Sequence, residues 1–344
     1  MSIYTNFIRP LLFTLPPERA QNLAEAVLGI KPAWKTLRPF LQLDDERLHN
    51  DVGGIHLPNP IGLAAGYDKD CRLLDSLSNL GFGYIVAGTV VARSRPGNPR
   101  PRIVRNPSEK SLVNSLGFPS QGLEAAADRL RRSSNRGVPL LASISGLSVE
   151  EFAHCYRRLQ PLASGIELNI SSPNTEGIRI FQEPQHLEEL LSTLRPLKEK
   201  PVFLKLSPYF DETQRAHTIG LVDLCLKYAL DGITAANTRP VEDDRLARGW
   251  GGLSGRPLYP HMLRMVGEIR RHTGDDFVIN ACGGISSGED ALSALQAGAN
   301  TVQLFTGFIY QGPGLMRQIN QYLLCYMEQE GISSLKEMPL EQGG

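Results

Sequence analysis

No stretch of this chain is apolar for long enough to cross a bilayer, and no CxxC pair, G-x-G-x-x-G loop or internal repeat occurs. The first absence leaves out a transmembrane helix. The five cysteines, Cys71, Cys155, Cys225, Cys282 and Cys325, are scattered and odd in number. That argues against a disulfide framework and a zinc site and fits a reducing compartment; no metal is expected. Cys282 follows a predicted strand and reads as a small buried hydrophobe rather than a catalytic thiol. Neither charge is in excess: Lys+Arg and Asp+Glu are both 36, so no general attraction to nucleic acid follows. The start lacks the unbroken apolar core and small-residue cleavage site of a secretory leader, and it is not an Arg-rich presequence. A cytoplasmic chain is expected.

What is present is an alternation of apolar runs and amphipathic segments. The 344 residues, 41% hydrophobic, suit two average domains or one α/β barrel with an addition. Candidate strands are Ile61–Ala65, Tyr84–Thr89, Leu140–Ile144, Ile166–Ile170, Val202–Leu206, Gly232–Ala236, Phe277–Ala281 and Thr301–Phe305. Helical patterns fall between them, as at His186–Leu197, Thr213–Ala229 and Asp290–Ala297. Eight such units imply an α/β protein, a (β/α)8 TIM barrel, over residues 46–344. An open doubly wound sheet would gather its glycines after the first strand, whereas here polar motifs follow nearly every strand. Asp51–Pro60, with Gly53-Gly54, reads as a hairpin closing the barrel floor. Val91–Gly117 is a long loop rich in Pro, Arg and Asn, and loops of that length are usually functional. The end, Glu341–Gly344, is expected to fray.

Residues 1–45 form an N-terminal helical extension of a different character. Ile3–Leu15 carries Ile3, Phe7, Ile8, Leu11, Leu12 and Leu15; Pro16-Pro17-Glu18 then begins a second helix with Ala20, Leu23, Ala24 and Val27 on one side. Two such helices either pack on the barrel or lie on a bilayer.

Chemistry-bearing residues collect at predicted strand ends. Asn169-Ile-Ser-Ser172-Pro-Asn174-Thr175 is poor core material and suits a tip that holds a planar polar ligand; a turn capping the next helix is the bland alternative. Gly62-Leu-Ala64-Ala65-Gly66-Tyr-Asp-Lys69 joins small residues, which let backbone approach a flat ring, to a cation. Lys205 lies inside the apolar run Val202–Leu206 and needs an acceptor there. Asn114, Asn169, Asn174 and Asn237-Thr238 supply the donors and acceptors a heterocycle with alternating N–H and C=O groups requires. Gly251-Gly-Leu-Ser254-Gly255, Gly283-Gly284 and Phe305-Thr306-Gly307 fall where barrels commonly hold phosphate.

In this order, over nearly the whole chain, these motifs resemble the dihydroorotate dehydrogenases. Asn6-Phe-Ile-Arg9, Pro17-Glu-Arg-Ala20, Pro96-Gly-Asn-Pro-Arg-Pro-Arg102 and Val302-Gln-Leu-Phe-Thr306 extend the likeness. Ser172, where the soluble class usually has cysteine, and the helical extension both resemble the quinone-dependent class. The resemblance implies oxidation of dihydroorotate to orotate with FMN, and electrons passed to a membrane quinone. It implies Ser172 as base, Thr175 as relay and Phe118 as shield. Lys69, Asn114, Leu116, Gly117, Phe118, Asn169, Asn174, Asn237 and Thr238 would meet substrate. Ala64, Ala65, Gly66, Lys69, Thr89, Ser143, Asn169, Lys205, Ala236, Ser254, Gly255, Gly283, Gly284, Phe305 and Thr306 would meet FMN. Gln21, Arg105 and Phe305 would border the quinone tunnel. Peripheral binding to the cytoplasmic face of the membrane is implied; the sequence does not fix the oligomeric state, for which a monomer is favoured.

The chain departs from the family pattern at several of these positions. Ser143 replaces an asparagine, Ala236 a threonine, Ser115 an arginine, Gln21 a histidine and Phe305 a tyrosine. Two other readings therefore stand beside the first. One is a related FMN barrel acting on another pyrimidine or an enone. The other is a phosphate-binding barrel that has lost catalysis.

Overall fold

The structure, a computed structural model, describes residues 3–133, 137–175 and 177–340. The expected frayed end, Glu341–Gly344, lies outside the described residues. The parallel barrel strands are β1 (Ile61–Leu63), β2 (Tyr84–Val90), β3 (Leu140–Ile144), β4 (Gly165–Asn169), β5 (Val202–Lys205), β6 (Gly232–Ala235), β7 (Val278–Cys282) and β8 (Thr301–Leu304). They pair in chain order, and β8 returns to β1 to close the barrel. Every residue of β2 is buried, as a strand with helices outside and side chains inside must be. The expected eight-unit barrel is present; Leu140–Ile144 has the expected bounds and the other strand ends move by one or two residues. The largest such change is at β1, where Ala64 and Ala65 leave the ladder for the mouth.

The helices between strands start on side-chain caps where the sequence offers them. Ser148, Asp211 and Ser287 accept backbone N–H groups of Glu151, Gln214 and Asp290 at 3.3, 2.8 and 3.1 Å. Such a cap is worth about 1 kcal/mol. At the floor, Asn50–Val52 and Ile55–Leu57 form the expected hairpin, turning at Gly53 and Gly54 with φ of 58° and 80°. Its Val52, Ile55 and Leu57 pack on Tyr84, Val86, Leu141, Phe203 and Val278, sealing the lower end. The barrel axis carries polar groups as well: the Tyr84 and Thr301 hydroxyls are 2.6 Å apart, and Thr301 meets Asn280 Oδ1 at 2.6 Å. Gly62 makes this possible, since a Cβ there would lie 2.3 Å from the Tyr84 ring.

Two expectations are corrected. Val91–Gly117 is not simply a loop: Ile103–Asn106 and Ser111–Asn114 form a hairpin, joined by Trp250–Gly255 and Arg239–Glu242 into a four-stranded antiparallel sheet at the mouth. The extension holds a third helix beyond the two expected. After a π turn at Tyr4–Ile8 come α1 (Arg9–Thr14), α2 (Pro17–Leu28) and α3 (Lys31–Leu41). Prolines in the first turn and near the end of α3 obscure its periodicity without preventing it.

The extension is fastened to the barrel by polar bonds. The Tyr4 hydroxyl donates to Ile309 O at 2.7 Å, Arg9 to Tyr310 O at 2.9 Å, and Glu18 pairs with Arg102 at 2.9 Å. Much of its apolar surface stays uncovered; Ile3, Phe7, Leu11 and Phe40 are each more than 70% exposed. Among the described residues no helix is long and apolar enough to cross a membrane.

Candidate active site

The C-terminal ends of the strands open into one cavity of about 700 Å³ that continues beneath the N-terminal helices. Ala64, Ala65, Gly66 and Lys69 enter it from the β1 end. Beneath them, Asp68 accepts the N–H groups of Arg72 and Leu73, both at 2.8 Å. Burial nevertheless pushes the Asp68 carboxyl up to about 6. Burial likewise draws Lys69 below the usual lysine value, with the Glu25 carboxylate opposing it.

An amide and hydroxyl network forms one wall. Asn169 Nδ2 donates to Thr89 Oγ1 at 2.8 Å, and the Thr89 and Ser143 hydroxyls are 3.0 Å apart. Asn237 Nδ2 donates to Ser171 Oγ at 3.0 Å, and Asn174 Nδ2 to Asn114 Oδ1 at 3.0 Å. The Asn174 side-chain carbonyl oxygen is buried and finds no partner among the described residues. Ser172 is 7% exposed, and its Oγ accepts the Asn174 N–H at 3.4 Å. Leu116, Gly117 and Phe118 cover this wall, with φ of 68° at Gly117 and 52° at Phe118. Asn98 ties the cover to the serine loop by donating to Ser115 O at 2.8 Å and Asn174 O at 3.1 Å. Thr238 also lines the cavity.

Two predicted residues stand apart. Ser143 is fully buried behind Thr89 and does not line the cavity. Thr175 turns into a separate cleft with Arg179, Glu242 and Trp250, where its buried hydroxyl has no partner among the described residues.

Deeper in, Lys205 reaches Glu167 at 3.8 Å, and Thr234 donates to the other Glu167 oxygen at 2.9 Å. Burial alone would lower the Lys205 pKa; the Glu167 carboxylate overrides it and holds the ammonium above its ordinary value. Burial raises the neighbouring Cys282 thiol, which suits a packed residue rather than a nucleophile.

Opposite stand Ala236, Ser254, Gly255, Gly283, Gly284, Phe305 and Thr306. Thr306 donates to Ser254 Oγ at 2.9 Å. A Cβ on Gly284, where φ is 79°, would lie 2.8 Å from the Tyr259 backbone nitrogen. One on Gly255, at φ 98°, would lie 2.4 Å from Lys110 O. These loops are thus shaped for bare backbone beside the cavity.

Toward the extension the lining turns apolar, with Phe7, Leu11, Leu23, Val27 and Trp34. Gln21 donates to Glu25 Oε1 at 2.8 Å. Arg105 donates to the Leu12 carbonyl at 3.3 Å and to that of Leu15, and it covers the Phe13 ring at 4.5 Å. Burial lowers the Arg105 pKa. Phe305 meets Tyr67 edge-on at 5.8 Å.

Sequence reading missed Glu167, Glu25 and Gln303. Glu167 carried a signal, a charge inside an apolar strand. Gln303 lines the cavity with both amide atoms buried and unpartnered among the described residues.

A closed βα barrel whose strand ends build a polar, glycine-cradled cavity belongs to the barrel enzymes that work on a bound cofactor. The sequence profile of the family described as "Dihydroorotate dehydrogenase" matches residues 47–327. A "Dihydroorotate dehydrogenase (quinone)" of Thermus thermophilus is 38% identical over 350 residues, spanning 95% of this chain and 98% of that one. One from Roseiflexus sp. is 38% identical, spanning 98% and 97%. The crystal structure of an Eimeria tenella DHODH in complex with ferulenol superposes with a TM-score of 0.82 at 27% identity, covering 97% of this chain and 99% of that one. This chain belongs to the dihydroorotate dehydrogenase family, in its quinone-dependent class.

That family is flavin-dependent. The residues here fit such a group: a glycine cradle that a Cβ would fill, an orphaned Gln303 amide and a buried cation at Lys205 all face one cavity.

Proposed function

We propose that the chain oxidises dihydroorotate to orotate for pyrimidine biosynthesis, using bound FMN, and passes the electrons to a membrane quinone. The observation that carries this reading is continuity: the polar wall around Ser172 and the apolar passage under the N-terminal helices are parts of one cavity. A polar donor and an apolar acceptor therefore have access to the same centre.

Bound there, FMN would supply the redox chemistry. Ser254, Gly255, Gly283, Gly284 and Thr306 hold its phosphate and ribityl end. Ala64, Ala65, Gly66, Thr89, Asn169, Ala236 and Phe305 border its ring. Ser143 acts only through Thr89, which it orients. Lys205 would offer the flavin a fixed positive charge at the cavity wall.

Lys69, Asn114, Leu116, Gly117, Asn174, Asn237 and Thr238, with Asn169, grip the pyrimidine ring and its carboxylate. Ser172 Oγ removes the proton from the carbon alpha to the carbonyl. A serine is a weak base, so positioned partners and exclusion of water by Phe118 are required. The Thr175 hydroxyl relays that proton toward its own cleft. Gln21, Arg105 and Phe305 flank the quinone passage. The exposed Ile3, Phe7, Leu11 and Phe40 seat a monomer on the cytoplasmic face of the membrane.

The test is the visible spectrum of purified protein. A flavin band that bleaches when dihydroorotate is added supports cofactor and substrate together. A protein that binds no flavin, or a flavin that stays oxidised, removes the reading.

A further inference from the structure

We propose that Glu25 carries the proton that the acceptor needs when it is reduced, with Gln21 as its positioning residue. This rests on the quinone reading above. Reducing a quinone to a quinol takes two electrons and two protons. Of the two hydrogens leaving dihydroorotate, one departs as a proton at Ser172 and the other accompanies the electron pair. One further proton must reach the quinone from its own side.

Few groups on that side can give one. Arg105 spends its donors on the Leu12 and Leu15 carbonyls, and a guanidinium does not release a proton. Tyr4 donates its hydroxyl to Ile309 O at 2.7 Å. Burial pushes the phenols of Tyr4 and Tyr67 up, away from release. Among the described residues lining the cavity, Glu25 is the only carboxylic acid.

Its placement suits the task. Glu25 stands on α2 between the apolar passage and solvent, half-buried. Gln21 Nε2 holds Oε1 at 2.8 Å, so Oε2 is the oxygen through which the transfer would pass. Glu25 and Lys69 line the same cavity, and the Glu25 carboxylate opposes the fall that burial imposes on the Lys69 pKa. In the transfer a carboxyl O–H breaks and a quinol O–H forms. The carboxylate left behind takes its next proton from water. Partial exposure and the bond from Gln21 let this carboxyl stand in a largely apolar wall.

The experiment uses the full-length flavin-loaded chain, reduced with dithionite and mixed rapidly with a short-tailed benzoquinone across a range of pH. In the unaltered protein, reoxidation slows as pH rises and is slower in D2O. Glu25→Gln is expected to slow reoxidation about a hundredfold and to abolish the pH dependence, with little change in the quinone concentration giving half the maximal rate. Glu25→Asp restores part of the rate, and Gln21→Leu moves the pH profile. A Glu25→Gln protein with the original rate and pH profile overturns the proposal. Chemical reduction keeps the two readings separable: dihydroorotate failing to reduce the flavin counts against the substrate, whereas the quinone step is scored regardless.

Discussion

The Lys205 ammonium stands 3.8 Å from the Glu167 carboxylate, and the two side chains are only 5% and 0% exposed. They lie on β5 and β4, neighbouring strands whose pairing sets Asn169 opposite Lys205. The pair thereby connects the cavity wall to the barrel interior. Without the carboxylate a lysine so buried would shed its proton.

Lys205→Ala should therefore lose bound flavin, or slow its reduction, more than it weakens substrate binding. It should also cost about 3–5 kcal/mol of stability, because a buried carboxylate is stranded. Flavin absorbance per protein and a denaturant melt check both. The native Lys205 pKa is raised, so the pair's stabilisation is complete below the unfolded lysine value of about 10.4 and disappears as pH climbs through the native one. Full flavin content with only a weaker substrate constant would move Lys205 to the substrate site.

Ser172→Ala should keep its flavin and lose reduction by dihydroorotate about 10²–10⁴-fold, since a base is removed and the glycine cradle is untouched. Ser172→Cys should retain part of the rate with a lower pH optimum, because a thiol ionises more readily. Stopped-flow reduction over pH measures both. Normal reduction by the alanine variant would rule Ser172 out as base.

Asp68 gives a stability signature in mild acid. Its native value of about 6 exceeds the unfolded 3.8, so its contribution is complete below pH 3.8 and is lost as pH rises through 6. The span corresponds to about 3 kcal/mol. Asp68→Asn should remove that slope, at a uniform cost of about 1 kcal/mol for one lost backbone bond. Urea melts of both proteins between pH 4 and 7 decide it; parallel curves would refute the assignment.

Phe7→Asp, Leu11→Asp and Phe40→Asp together alter side chains 72%, 71% and 73% exposed, so folding should be unaffected. Sedimentation with lipid vesicles should drop sharply, and turnover with long-tailed quinone should fall while a short-tailed quinone is still used. Undiminished vesicle binding would leave these helices as a cover for the barrel only.

The barrel was legible because parallel strands buried on both faces appear as unbroken apolar runs, and because polar motifs recur at their ends. The hairpin floor was legible from Gly53-Gly54. The mouth sheet was not: its strands Ile103–Asn106 and Ser111–Asn114 are four residues each, and Trp250–Gly255, which pairs with the second, comes more than a hundred residues later. Four-residue strands of mixed polarity carry no period a sequence can display. Glu167 was hidden for a related reason. A lysine in an apolar strand announces a missing partner, but register, not sequence, says which carboxylate answers. Glu25 lies off the apolar side marked by Ala20, Leu23, Ala24 and Val27, and only the position of α2 over the barrel turns that surface into a cavity wall.

The chain has two tryptophans, and the fold places one in each opening: Trp34 lines the large cavity and Trp250 the cleft beside Thr175. Each is a built-in optical probe. Replacing either with phenylalanine leaves a protein whose ultraviolet emission reports a single doorway. Quenching of Trp34 would follow arrivals under the helices, while changes at Trp250 would follow traffic past the serine loop, so the order in which two reactants enter becomes measurable without attaching a dye.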